Sequence, residues 1–296
     1  MANGNQTAMT LDIGILFAVT TMLSWGISDF FAKQAINKIG YKTPLFLNHT
    51  VALIPIIIFA FLFFKMPAFS VGLVSMIILA GVLGIVGYIF LYRGFQNGNV
   101  SIVAPVASSW SVLTTLFAFF LFNETLTSLQ LLGIITVFVG IFLASTNLAE
   151  LKQSIRLVKT NGILDGVIAM TAWGISYTLI RPVSEVTGPI VALLFFRAIA
   201  FMALLSWTGI TKTKITLPTR LIFFLIAAAG ILDFVGYAAF NVSMTQEFVS
   251  IAGPIAATCP AVTIILAYVF LKEKMVNNQK LGILAILTGL VLVTLA

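Results

Sequence analysis

Charged side chains make up only 8% of this sequence, and it holds a single cysteine and a single histidine. Soluble domains carry about 25% charge, so these residues cannot furnish a water-facing surface for 296 residues. Cys259 can form no internal disulfide and lies in an apolar run, which leaves no redox or metal argument on sulfur. No glycine loop followed by lysine, no cluster of metal ligands and no nucleophile beside a base is present. An enzyme working inside the membrane would need such a cluster, so no catalytic residue, cofactor or metal is expected. The net charge is +7, but the basic residues stand singly between apolar runs. That spacing excludes a nucleic-acid stripe and suits lipid head groups and topology control. The leader MANGNQTAMTLD lacks the basic start of a secretory signal, so the first apolar segment is expected to remain as a span.

What is abundant is apolar: 60% of residues, with a mean hydropathy of +1.12. Runs of 18 or more apolar residues recur along the chain, each able to cross a hydrocarbon core of about 30 Å as a helix. A membrane barrel would need short alternating strands instead. Pro, Gly and charge punctuation predicts spans at 12–35, 43–64, 70–92, 101–121 and 129–147, then 161–181, 188–208, 219–243, 250–270 and 279–296. Pro44 and Pro189 suit first turns, Pro182 suits a helix stop, and Pro55 and Pro260 fall inside spans as kinks. The stretch NLAELKQSIRLVKTNG is the one sizeable polar linker and divides the chain nearly in half.

The halves repeat each other. Trp25-Gly26-Ile27-Ser28 returns as Trp173-Gly174-Ile175-Ser176, and Gly87-Tyr88 as Gly236-Tyr237. Val100-Ser101-Ile102 with Pro105 returns as Val249-Ser250-Ile251 with Pro254. Glu124, Gln130, Gly133 and Gly140 return as Glu273, Gln279, Gly282 and Gly289. Shared hydrophobicity aligns Leu and Ile at any offset but does not hold Pro, Glu, Gln and Gly in register, so this is a duplication. Residues 1–148 form the first repeat and 149–296 the second. An odd number of spans per repeat makes the second copy cross in the opposite sense. Homologous loops carry opposite charge bias accordingly: NETLTS has no basic residue, while its counterpart holds Lys272, Lys274 and Lys280. The positive-inside rule then puts the Lys152, Arg156 and Lys159 linker in the cytoplasm and both termini outside.

The repeated Trp-Gly, the prolines of spans 4 and 9, and the Glu, Gln and Gly series closing each repeat resemble the drug/metabolite transporter superfamily, in its ten-helix EamA-type branch. The resemblance covers essentially the whole chain. It implies an all-α membrane protein of ten transmembrane helices in two inverted-topology five-helix repeats, multi-pass in the cell membrane and using no ATP. It also implies a substrate cavity between spans 1–4 and 6–9, with spans 5 and 10 peripheral. Members commonly have both termini in the cytoplasm, opposite to the charge count. The family often has an arginine in the second helix of a repeat. Arg197 matches that position in the second half, while Asn48 and His49 stand near it in the first.

An ionisable group at mid-bilayer costs about 2.5–3.5 kcal/mol or more, so each needs a partner or a purpose. Arg197 and Asp233 fall near the middles of spans 7 and 8, at similar depth, and make one natural pair. Asp29 and His49 lie off centre toward the basic side and make another, although Asp29 can instead bridge Lys33 one turn on. Asp165 and Glu124 read as interfacial. Trp25, Tyr88, Trp110, Trp173, Tyr177, Tyr237 and Asn241 lie within spans, where aromatic faces can stack a substrate or hold an organic cation. Each of these residues also has a plain reading in helix packing. Gly81, Gly84 and Gly87 put a small face on span 3 for close approach.

These residues point to a secondary transporter exporting amino acids or related small amphipathic metabolites, with the proton as candidate coupling ion. An organic-cation carrier with an aromatic cage and a non-transporting receptor or scaffold are the alternatives. Partners are a small-molecule substrate and the bilayer, with the oligomeric state left open.

Overall fold

The computed structural model describes residues 3–63, 70–97, 103, 106–145, 161–272 and 274–295. Among them the chain is all helical: α1 (Asn3–Ile39), α2 (Lys42–Phe63), α3 (Val71–Asn97), α4 (Trp110–Phe122), α5 (Ser128–Ser145), α6 (Asn161–Thr187), α7 (Pro189–Ile210), α8 (Arg220–Gln246), α9 (Val249–Ala256), α10 (Cys259–Phe270) and α11 (Asn277–Thr294). Six stretches, with α9 and α10 taken together, are long and apolar enough to cross a membrane, and four shorter apolar helices accompany them. The chain is a multi-pass membrane protein. The linker at 146–160, Pro105 and Glu273 lie outside the described residues.

Helices overrun the apolar runs that announced them, because backbone hydrogen bonding continues through polar ends once hydrocarbon burial has nucleated a helix. Thus α6 reaches Thr187 with Pro182 inside it, where a stop was expected. The end comes instead at Gly188, whose φ of 85° is open to glycine and costly to other residues. Pro189 then starts α7. Span 9, expected continuous, is two helices. The amide of Thr258 donates to the Ile255 carbonyl at 3.2 Å and that of Ala261 to Thr258 at 2.9 Å, so the break is a tight i to i+3 turn with Pro260 just inside α10. Ser109 turns span 4 in the same way, donating to Val106 at 3.2 Å and accepting from Val112 at 3.0 Å.

Helices pair across the halves. α1 packs along α8 as α3 packs along α6, α1 along α10 as α6 along α4, and α2 along α8 as α7 along α3, while α5 packs on α11. Exchanging the halves leaves this pairing unchanged. Side chains keep the same bookkeeping. Ser28 Oγ donates to the Ala229 carbonyl and Ser176 Oγ to that of Ala80, each at 2.8 Å. Thr263 Oγ1 donates to the Gly26 carbonyl at 2.9 Å, and Thr114 Oγ1 to that of Gly174 at 3.3 Å.

Candidate functional site

Glycine lets the central helices meet closely enough for buried polar groups to reach one another. On α3, a β-carbon at Gly81 or Gly84 would run into Ile199 or Phe196 of α7, and one at Gly87 into the Trp173 indole. The small face of span 3 therefore seats α6 and α7. In the other half the Trp25 indole fills the same notch over Gly236.

Asp233 on α8 lies at the centre. One carboxylate oxygen accepts from Arg197 Nη2 of α7 at 2.5 Å, and the other from the Tyr88 hydroxyl of α3 at 2.7 Å. The expected Arg197–Asp233 pair is thus present and buried, with side chains 2% and 4% exposed. His49 of α2 meets the Tyr88 ring edge-on at 4.9 Å. The guanidinium of Arg197 lies 4.0 Å over the Tyr237 ring, and the Tyr237 and Tyr177 hydroxyls are 2.8 Å apart. Tyr177 packs against Trp110 at 4.5 Å and stacks on Trp25 at 5.9 Å. Trp173 meets Tyr88 at 5.1 Å and donates its Nε1 proton to the Gly84 carbonyl at 3.1 Å. The aromatic candidates therefore form one connected cluster around the Arg197–Asp233 pair.

Two expectations fail. Asp29 and His49 make no ion pair, because the His49 Nδ1 is engaged with the Leu45 carbonyl at 3.1 Å and its ring is turned to Tyr88. Nor does Lys33 pair with Asp29 among the described residues. Asp29 is half-buried and lies within electrostatic reach of Asp233, Tyr92 and Cys259. Asn241 is buried and ties helices together: it accepts from Ser184 Oγ at 2.9 Å and donates to the Tyr237 carbonyl at 2.8 Å.

Some buried donors are left over. Arg197 Nε and Nη1 and Trp25 Nε1 have no hydrogen-bond partner among the described residues. Unpaired polar groups are costly in hydrocarbon, so donors of this kind beside a carboxylate and an aromatic cluster suit an occupant that brings acceptors.

The two acids expected near span ends are buried within the protein and paired. Asp165 is 2% exposed and accepts from Arg93 Nη2 at 2.5 Å. Glu124 is 3% exposed. It pairs with Arg181 and accepts from the backbone amides of Val249 and Ser250, at 3.0 and 2.9 Å, and from Ser250 Oγ. The usable signal was the repeat itself, since an acid and a serine hold register in both halves at span ends that have no other reason to match.

The sequence profile of the EamA-like transporter family matches twice, over residues 12–146 and 160–295. The chain belongs to the EamA-like transporter family. An uncharacterised transporter of Archaeoglobus fulgidus is 20% identical over 283 residues, 95% of this chain and 98% of that protein. An uncharacterised protein of Methanocaldococcus jannaschii is 28% identical over 138 residues, which is 98% of its own length and 46% of this chain. A solved crystal structure shares the fold, with a TM-score of 0.75 at 17% identity over 95% of this chain and 98% of that one. As an EamA-like protein the chain is a membrane transporter of small molecules and not a member of an enzyme family.

Proposed function

We propose that this EamA-like protein is a ten-span secondary transporter that exports amino acids or related zwitterionic metabolites from the cell by alternating access. In this reading residues 1–148 and 149–296 are inverted repeats in the cell membrane, and the path runs past Arg197, Asp233 and Asp29. The observation that carries it is Arg197, held by Asp233 through one nitrogen while its other two lie buried without acceptors among the described residues. A substrate carboxylate supplies those acceptors as charge-assisted hydrogen bonds. The substrate ammonium is then met by Asp29 and by the faces of Trp25, Trp110 and Tyr177. Asp29 can hold a proton in place of that ammonium, which gives the proton its place as coupling ion.

One observation favours the organic-cation alternative. Asp233 already neutralises Arg197, which leaves the Asp29 charge unmatched among the described ion pairs. Flux in proteoliposomes at matched protein level separates the readings. If Arg197 binds the carboxylate, Arg197→Leu and the double variant Arg197→Leu, Asp233→Leu both fold and both lose zwitterion transport, while Asp29→Asn loses amine-bearing substrates. If the pair is only structural, the single variant is destabilised by about 3–5 kcal/mol and the double variant transports normally. Retention of quaternary-amine flux by both Arg197 variants, with no zwitterion flux in the wild type, selects the cation reading.

A further inference from the structure

We propose that the corner where the end of α1, the start of α2 and the segment joining α7 to α8 meet is a binding site for the headgroup of an anionic phospholipid. The proposal does not depend on what the protein transports.

Basic residues stand singly in the sequence, and only the fold gathers them. Lys38 lies in the last turn of α1, Lys42 opens α2, Lys212 and Lys214 follow α7, and Arg220 opens α8; all five are exposed. The two stretches that carry them are tied to each other. Thr216 donates its amide to Thr43 Oγ1 at 3.3 Å, and the two hydroxyls are also 3.3 Å apart. Lys42 Nζ stands 6.0 Å over the Trp207 ring near the end of α7. Below, Ala35 of α1 packs with Ile222 and Ile226 of α8, and Ile39 and Leu47 close the cluster. The cations therefore share one corner above a common apolar floor.

Both stretches are basic without compensation, since residues 33–47 and 207–226 contain no Asp or Glu. Asp165, which lies within electrostatic reach of Tyr41, is already held by Arg93. Crowded like charges repel, and an anion at the corner relieves that repulsion. The starts of α2 and α8 add the positive ends of two helices to the same field. Apolar side chains decide which anion fits. Ile210 and Leu217, on either side of the two lysines that follow α7, are 82% and 97% exposed. Both α7 and α8 are long and apolar enough to cross a membrane, so the segment joining them lies where hydrocarbon gives way to headgroups, the level that suits the amphipathic Trp207 ring. A soluble anion would engage the cations alone. A phospholipid engages them with its phosphate and covers Ile210 and Leu217 with its acyl chains. Since α2, α7 and α8 carry His49, Arg197 and Asp233, a lipid held at their shared end ties together the helices that bear the central charges.

The test uses the full chain in a non-ionic detergent, with phosphatidylglycerol titrated in and the melting temperature read at each step. Phosphatidylglycerol is expected to raise it to saturation, and phosphatidylcholine, whose headgroup has no net charge, is expected to leave it unchanged. Lys42→Gln and Lys214→Gln are each expected to weaken the apparent affinity about fivefold, the effect of one cation at a membrane surface, and to melt as the wild type does without the anionic lipid. The control is the triple variant Lys272→Gln, Lys274→Gln, Lys280→Gln. It removes charge at the same end of the molecule, because α10 runs alongside α1 from Cys259 at Gly26 to Phe270 at Phe30, the last two rings 6.2 Å apart. This control is expected to bind phosphatidylglycerol as the wild type does. Equal loss in the control and the corner variants would reduce the effect to diffuse surface charge and overturn the site. Stabilisation by soluble glycerol phosphate as strong as that by phosphatidylglycerol would overturn the lipid as occupant and leave a site for a free phosphate monoester. If Lys42→Gln does not fold, the double variant Lys212→Gln, Lys214→Gln, confined to the exposed segment after α7, carries the test, and unchanged phosphatidylglycerol affinity in it would overturn the proposal.

Discussion

Trp, Gly and Ser of the repeated Trp-Gly-Ile-Ser motif each have a task across the divide between the halves. The tryptophan indole occupies the notch over a glycine of the opposite half, Gly236 for Trp25 and Gly87 for Trp173. The glycine admits a side chain of the opposite half, Val262 at Gly26 and Leu113 at Gly174, and the serine donates to an opposite carbonyl. Hydrogen bonds of this kind between membrane helices average about 0.6 kcal/mol, so Ser28→Ala and Ser176→Ala should each cost about that much and should match each other within error in a denaturant titration. Glu247, in the turn joining α8 to α9, is a different case. One of its oxygens accepts from the Phe248 amide at 2.9 Å, while the other is buried with no partner among the described residues. Burial holds its carboxyl above the ordinary value despite that amide. The folded protein therefore binds this proton more readily than the unfolded chain does, and stability falls as pH rises from the ordinary carboxyl value through the raised one. Glu247→Gln should remove that decline and raise the melting temperature at neutral pH, as read by thermal unfolding across a pH series. Its raised value was not legible in the sequence, since burial of a turn residue depends on which helices close over it. The Arg197–Asp233 pair was legible because two lone charges at equal depth in hydrocarbon leave each other as the obvious partner.

Among elements, α5 and α11 meet backbone to backbone. A β-carbon built on Gly133 would stand 2.9 Å from the Gly289 carbonyl, and one on Gly289 would stand 2.7 Å from the Gly133 carbonyl. Gly140 meets the Gly282 carbonyl at 2.8 Å in the same sense. The glycines that closed each repeat in the sequence are thus the teeth of one seam, with large apolar side chains such as Leu132, Phe142, Leu284 and Leu287 on the outward faces. Overpacking costs about 1–3 kcal/mol, and here a side chain would press on backbone that cannot rotate away. Gly133→Leu should therefore lower the unfolding midpoint in detergent by an amount in that range or above it, while leaving the Arg197 site chemically intact. Apolar helices and their order were readable from apolar runs, and helix ends were not, because hydrogen bonding carries α6 through Pro182 to a glycine. The breaks at Ser109 and Thr258 escaped for a related reason. A short turn that stays apolar leaves no mark in hydropathy.

At the scale of the molecule, exchange of the halves maps one set of contacts onto the other, and the charge bias of the loops is the ground for expecting the two repeats to cross the membrane in opposite senses. With inverted repeats, Lys38 at the end of α1 and Glu185 at the equivalent end of α6 lie on opposite sides. Lys38→Cys should then react with an impermeant maleimide only from the cytoplasmic side and Glu185→Cys only from outside, in sealed vesicles of known orientation. Labelling of both from one side would remove the inverted arrangement, and reversed labelling would keep it and restore the family's usual placement of the termini. The duplication was legible because polar and small residues held register.

The reciprocal bonding also bears on how such a chain changes over generations. A single repeat pairing with an identical copy would present every substitution twice, so a change at Ser28 or Gly133 would strike both sides of the contact together. Once two copies are joined in one polypeptide, each contact partner mutates alone and the penalty is halved. Positions outside the reciprocal set are then free to specialise. Asn48 and His49 have diverged from the region that holds Arg197, and Asp233 stands where the first half keeps Gly84. The matched residues form a chassis common to both halves, and the one-sided charge at its centre is where the joined copies differ.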